Sequence, residues 1–354
     1  MLTRRTALIF TDADKANAAS AVKEQLSDLG LTVILIDEME LYADAFKDFL
    51  EKVFGIPANL EKRLAIRRER KIRSLTDVTP VSSNLFKPTD PYKRMENILN
   101  RYTPEVVVTI GFGAFKEAVA VRDKQSASFK VIAYIDDFAL NRQLINTYMD
   151  GYVASNMQIK TTLVNAGIPE DDVKLASIAV GKRFFTAPAA GEARSTLKIP
   201  AEKRTLLVQC SGVGDYKEYF AAAAGFGPDI TTVCYCGENR AAYYAALEAG
   251  LLAYNEGTSA ALLYAAADAV MTPPESYYAA AALATGKILA LTAARDRMEK
   301  MNAEFLAPYS EDAAEAYKAE NFVRAFLKSE ISSKHFSVPA SGVGNAVAEL
   351  AGIN

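Results

Sequence analysis

Short apolar runs alternate with helically spaced apolar positions along most of this chain. Residues 7–10 are continuously hydrophobic, and residues 32–36 are a second, nearly continuous run. Between them Ala18, Ala21, Val22, Leu26 and Leu29 recur at helical intervals, and Gly30 follows. Four or five apolar residues in a row suit a strand buried on both faces, and the helical intervals place one apolar stripe on a helix. A glycine just beyond such a stripe ends the helix in the left-handed conformation. The alternation resumes at residue 106. Strands are predicted at 106–110, 130–135, 150–155 and 173–177, and helices at 114–122, 139–149 and 159–166, the last stopped by Gly167, Ile168 and Pro169. It restarts with strands at 205–210 and 231–236, and a terminal helix is predicted at 345–351.

The clearest single unit lies within residues 259–306. An amphipathic stretch, 260–267, leads through Asp268 into the apolar run 269–271. Thr272, Pro273 and Pro274 stop that strand, since proline brings no amide to a ladder. Residues 275–284 are alanine-rich and helical in composition, Gly286 closes them, and 288–291 is another apolar strand. Strand, loop, helix and strand make one βαβ unit of a parallel sheet. Ligands of such sheets sit beyond the carboxyl ends of the strands, which here means the loop 272–276 at a helix N-terminus that favours anions.

Composition narrows the field. With 354 residues, half of them hydrophobic, the chain is globular and long enough for two domains. A linker is predicted at 186–192, where alanine, proline and glycine dominate. The net charge of −3 gives no overall case for nucleic acid. No run of about 18 apolar residues is present, and the strand-like run behind Arg4 and Arg5 is too short for a signal peptide, so a cytoplasmic location is expected. Cys210, Cys234 and Cys236 are an odd set, with the last two on one face of a strand; buried core thiols are expected rather than a metal site. His335 is the one histidine, and its polar setting suggests a surface loop. No metal and no cofactor is expected. Residues 39–100 are helical in period but broken at Pro57, Pro80, Pro88 and Pro91. Within them Lys62, Arg63, Arg67, Arg68, Arg70, Lys71 and Arg73 stand against Glu61 and Glu69, interleaved with Leu60, Leu64, Ile66 and Ile72. A basic amphipathic helix of this kind can lie on an anionic lipid surface; the plainer reading is a solvated helical face.

Several motifs carry a resemblance. They are Asp136-Asp137-Phe138, the stretch from Asp150 through Tyr152 and Val153 to Ser155, Ala166-Gly167-Ile168-Pro169, and the segment from Ala179 to Phe184. Further on stand Cys236-Gly237-Glu238-Asn239, Ala267-Asp268, Gly286-Lys287, Glu299 and Asn302-Ala303-Glu304. From about residue 5 to about residue 330 the chain resembles glycosyltransferases of the monogalactosyldiacylglycerol synthase and processive diacylglycerol glucosyltransferase family, relatives of the lipid II GlcNAc transferase. The resemblance implies an α/β, GT-B fold: two Rossmann-like doubly wound domains facing a central cleft. An acceptor-side domain would span 1–185, the linker 186–192, a nucleotide-sugar-side domain 193–335, and 336–354 would hold a C-terminal helix returning to the first domain. It also implies a UDP-linked sugar donor, a membrane lipid acceptor and a peripheral place at the inner face of the plasma membrane.

The chain departs from the family at positions that carry chemistry. Lys15 stands where the family has a histidine after its first strand. Gly111-Phe112 replaces a His-Pro, and Asn141 and Asn146 replace two further histidines. Glu275-Ser276 replaces a Gly-Gly pair, Tyr278 a threonine, Ala281 the ribose-binding glutamate, and Met298 a glutamine. For sugar transfer the catalytic candidates are Asp12, Asp14 or Asp137 as base, with Lys15 facing phosphate. The nucleotide-binding candidates are Ser211, Gly212, Gly214, Pro274, Glu275, Ser276 and Glu299. Glu275 would repel a diphosphate unless Lys287 or a divalent cation offsets it. The expected function is transfer of a hexose from a UDP-sugar to a membrane lipid. The alternative is a non-catalytic descendant that binds a nucleotide, a lipid or a protein, and an epimerase of the same fold is a third option.

Overall fold

The computed structural model describes residues 5–12, 15–41, 91–111, 114–212, 216–336 and 342–353. Asp14, Gly214 and the basic stretch 61–73 lie outside the described residues. The chain divides into two compact units, Met1–Gly181 with Pro339–Asn354, and Lys182–Val338.

In the first unit the described strands are β1 (Thr6–Thr11), β2 (Thr32–Asp37), β3 (Val106–Ile110), β4 (Lys130–Tyr134), β5 (Gly151–Ala154) and β6 (Val173–Leu175). They form a parallel sheet in the order β2-β1-β3-β4-β5-β6. Every residue of β3 is buried, as a continuous Val-Val-Val-Thr-Ile run requires of a strand covered on both faces. The described helices before residue 181 are α1 (Ala16–Asp28), α2 (Pro91–Tyr102), α3 (Phe115–Gln125) and α4 (Met157–Asn165). Pro91 opens α2 instead of interrupting it, because the first turn of a helix has no use for that amide.

Residues 139–149, expected to be helical, hold only a short 3-10 turn, Arg142–Leu144. The Tyr152 hydroxyl on β5 accepts from the Asn146 amide at 2.7 Å and donates to the Leu144 carbonyl at 2.9 Å. Those bonds satisfy the backbone in a loop where a helix would have satisfied it internally.

The second unit has β7 (Arg204–Gln209), β8 (Ile230–Gly237), β9 (Leu252–Asn255), β10 (Ala269–Thr272), β11 (Ile288–Leu291) and the short β12 (Glu311–Asp312), in the parallel order β12-β11-β10-β7-β8-β9. Its helices are α5 (Ala190–Leu197), α6 (Lys217–Ala224), α7 (Arg240–Glu248), α8 (Ala260–Ala266), α9 (Ser276–Ala284), α10 (Arg297–Leu306) and α11 (Ala316–Leu327). Helix α5 begins inside the expected linker 186–192. Arg194 reaches the Ala266 carbonyl at 2.9 Å and the Asp268 carboxylate at 2.6 Å, and Phe184 meets Tyr264 edge-on at 5.2 Å, so the chain belongs to this unit from residue 182.

Helix α12 (Val343–Ala351) is part of the first unit and packs on α1 and on the strands β4, β5 and β6. The Gly344 amide donates to the Gln25 side chain at 2.9 Å, and a Cβ at Gly151 would come within 2.8 Å of Leu350.

Tyrosines are unusually prominent among the buried groups. Burial raises the phenol pKa of Tyr134, Tyr216, Tyr264 and Tyr278, and pushes Tyr152 from 10.0 up to about 12. A phenol whose pKa is higher in the folded chain contributes stability below its unfolded value, and that contribution is lost as pH rises through the folded value. For Tyr152 this is about 3 kcal/mol, since one unit is worth about 1.4 kcal/mol. Melting temperature is therefore expected to hold from pH 8 to 9.5 and to fall steeply from pH 10 to 12. A flat profile to pH 11.5 would show that these phenols are not buried.

Candidate functional site

Ligands of doubly wound sheets collect where the strand order reverses, beyond the carboxyl ends. Each unit has one such point, between β1 and β3 in the first and between β7 and β10 in the second. Both carry a cluster of buried charges.

In the first unit Asp12 follows β1. Its Oδ1 accepts the Lys15 amide at 3.0 Å, which turns the chain into α1. The Lys15 ammonium lies between Asp136 (2.6 Å) and Asp137 (2.9 Å), which follow β4. All three side chains are nearly out of solvent, at 7%, 10% and 13% exposure, so Lys15 sits in an ion-paired setting. Ser155 and Asn156 hold this acidic turn by donating to the Asp137 and Phe138 carbonyls at 2.6 and 2.8 Å. This gives Ser155 of the recognised motif a physical role. Glu38, after β2, accepts the Ala114 amide at 3.1 Å.

Asp12 Oδ2 is buried and meets no donor among the described residues. It faces Gly111 after β3: a Cβ there would lie 2.9 Å from this oxygen and 3.1 Å from Glu38 Oε1, and φ at Gly111 is +129°. Only glycine leaves space for two carboxylates to approach this strand end. Of the four catalytic candidates, Asp12, Lys15 and Asp137 come together here, and Asp14 lies outside the described residues.

In the second unit β7 runs through Cys210 into Ser211 and Gly212. Asn239 donates to the Gly212 carbonyl at 2.8 Å while its own Oδ1 caps α7 through the Ala242 amide at 3.1 Å. Gly237, at φ +50°, leaves room for Ser211, whose Cβ would be 2.8 Å from a Cβ at that position. The Cys-Gly-x-Asn motif thus serves to fix the Gly212 turn. The three thiols gather beneath it. Cys210 Sγ is 3.5 Å from Cys236 Sγ, and burial, followed by the neighbouring thiols of Cys234 and Cys236, raises the Cys210 pKa.

Against this turn lies Arg295, which the sequence reading did not single out. Its Nε donates to Glu299 Oε1 at 2.7 Å, its backbone amide donates to Glu299 Oε2 at 2.7 Å, and Nη2 reaches both Glu299 Oε1 and Glu275 Oε2, the latter at 3.1 Å. Nη1 is buried without an acceptor among the described residues, and a Cβ at Gly212 would stand 2.0 Å from it. The pairing with these carboxylates holds the guanidinium fully protonated despite its burial.

The cation beside Glu275 is therefore Arg295 and not Lys287. Lys287 donates instead to the Ala267 carbonyl at 2.8 Å, and burial lowers its pKa. Asn302, fully buried, donates to the Pro274 carbonyl at 3.2 Å and to Ser276 Oγ at 3.4 Å, fixing the loop before α9. Ala281 is fully buried in α9. His335 is exposed on an irregular stretch, and among the described residues no group of acidic, histidine and cysteine side chains has the arrangement of a metal site. No described helix is long and apolar enough to cross a membrane.

Residues 17–180 match the monogalactosyldiacylglycerol (MGDG) synthase family. Over 175 residues the chain is 23% identical to the processive diacylglycerol β-glucosyltransferase of Bacillus cytotoxicus; that stretch is 48% of this chain and 42% of the relative, so the match spans less than half of the relative's length. At the level of fold the whole chain is similar to UDP-GlcNAc 2-epimerase from Neisseria meningitidis bound to UDP-GlcNAc (TM-score 0.61, 13% identity, 99% of each chain). It is also similar to Anabaena HepE in complex with UDP-glucose (TM-score 0.54, 15% identity, 98% of this chain and 94% of that one). The two parallel α/β sheets and these structural likenesses show the GT-B fold, and within it residues 17–180 of the first unit are similar to the monogalactosyldiacylglycerol synthase family.

Proposed function

We propose that this protein transfers a hexose from a UDP-linked sugar to a hydroxyl group of a membrane lipid, with the first unit taking the acceptor and the second the donor. The observation that carries the reading is the buried Oδ2 of Asp12, which meets no donor among the described residues, at the strand-order reversal of the first unit. A general base needs such a lone pair, held in place yet not already committed to a donor. Asp137 is less suited, because its carboxylate is paired with Lys15.

In the reaction the acceptor hydroxyl gives its proton to Asp12 as its oxygen bonds to the anomeric carbon. The bond from that carbon to the diphosphate breaks, and its electron pair leaves with UDP. The basic stretch 61–73 would bring the protein to anionic lipid, where such an acceptor resides.

The test supplies radiolabelled UDP-glucose, UDP-galactose and UDP-GlcNAc together with diacylglycerol in vesicles containing anionic lipid. Label is expected in the lipid phase, and Asp12→Asn is expected to lower the rate about 10²-fold while keeping the bond to the Lys15 amide. Asparagine with wild-type activity would remove Asp12 from the base role. No lipid product from any donor, with UDP-GlcNAc converted to an epimer, would assign the protein to the epimerases of this fold.

A further inference from the structure

We infer that Arg295 is the phosphate ligand of the second unit, and that Glu275 holds the place a phosphoryl group of the donor takes. This rests on the UDP-sugar reading above. A guanidinium presents its N–H groups as a planar fork that matches phosphate oxygens. Here one arm of the fork is spent on Glu299, and the other, Nη1, is buried beside Gly212 with no acceptor among the described residues. A second buried donor, the Tyr216 hydroxyl, also lacks a partner among those residues. It lies within electrostatic reach of Arg295, Glu275 and Glu299, and burial keeps its proton on. Two buried donors that meet no acceptor among the described residues, at the strand-order reversal of a doubly wound sheet, point to a place for anionic oxygen.

The charge count says what has to move. One guanidinium between two carboxylates leaves a formal charge of −1, which repels a diphosphate. Glu299 cannot be the group that yields: its side chain is 3% exposed and is tied to the Arg295 amide as well as to the guanidinium. Glu275 can. Its side chain is 26% exposed, its bond to Nη2 is 3.1 Å long, and it stands at the N-cap of α9 without capping the helix. When Glu275 swings away, the guanidinium and the positive end of α9 face the same point. Glu275 then acts as an internal substitute for phosphate that the donor must displace.

Calorimetry on the full chain tests this with UDP, uridine and inorganic pyrophosphate as probes. Glu275→Gln keeps the shape and removes the charge, so its folding is secure. It is expected to bind UDP and pyrophosphate about tenfold more tightly than wild type and uridine equally well. Arg295→Lys is expected to weaken UDP and pyrophosphate at least tenfold and to leave uridine unchanged. If wild type binds UDP and both substitutions leave that affinity untouched, the phosphate site lies elsewhere and the inference is wrong. If pyrophosphate responds as expected but no protein binds UDP or uridine, the anion site stands and the nucleotide-sugar reading fails. If no probe binds any of the three proteins, both are overturned.

Discussion

Replacing Lys15 by methionine is expected to lower folding stability by about 3–5 kcal/mol, the usual cost of removing one partner from a buried ion pair. The ammonium is nearly out of solvent and lies between two carboxylates on one turn. Asp136 and Asp137 are adjacent in the chain, so without the cation two like charges share a low-dielectric site. Surface pairs of the same composition contribute at most about 1 kcal/mol, which is why burial decides the size of the effect. Equilibrium urea unfolding of the variant measures it. The double variant Lys15→Met with Asp137→Asn should recover part of the loss, because one of the two charges is then gone. A single variant within about 1 kcal/mol of wild type would show that water reaches these groups freely.

A loss of similar size, about 3–5 kcal/mol, is expected for Glu299→Ala. Asp296 caps α10 by accepting the Glu299 amide at 2.8 Å, and Glu299 reaches back one residue further, to the Arg295 amide. The same carboxylate also balances the Arg295 guanidinium. Alanine leaves the Asp296 cap in place but removes the acceptor of the Arg295 amide and leaves a half-balanced cation in one step. Glu299→Gln keeps an acceptor for the guanidinium and should cost clearly less. Equal losses in the two variants would mean that packing at residue 299, and not its charge, holds this corner together.

The strand–helix alternation was legible wherever strands are buried on both faces. The run from Val106 to Ile110 and the run from Ile288 to Leu291 need no partner to be recognised, because covering both faces leaves the strand almost wholly apolar, Thr109 excepted. Residues 139–149 misled because Leu140, Leu144, Ile145 and Met149 keep helical spacing, while what holds them is a hydroxyl on β5 that no local pattern announces. The site follows the same division. Gly212, Glu275 and Glu299 could be read from motif positions. That Lys15 meets Asp136 could not, since 121 residues separate them and only the parallel sheet brings them together. Arg295 was missed although a signal preceded it: Asp296 and Glu299 have the spacing of a capping pair, which fixes the residue just before the cap at the mouth of the loop.

The position of α12 sets an order in time. A helix built from the last residues packs on α1, β4, β5 and β6, and Lys174 is ion-paired to Glu349 at 2.5 Å. Chain growth proceeds from the amino end at about 5–20 residues per second, so roughly 160 residues of the second unit emerge over about 8–30 s before α12 does. Throughout that interval the surface around Gln25 and Gly151 waits without its cover, while Lys182–Val338 has all of its own described strands and can close first. The unit begun first during synthesis is thus the last to be completed, and the face that will receive Val343, Ala346 and Val347 of α12 stays open to solvent until then.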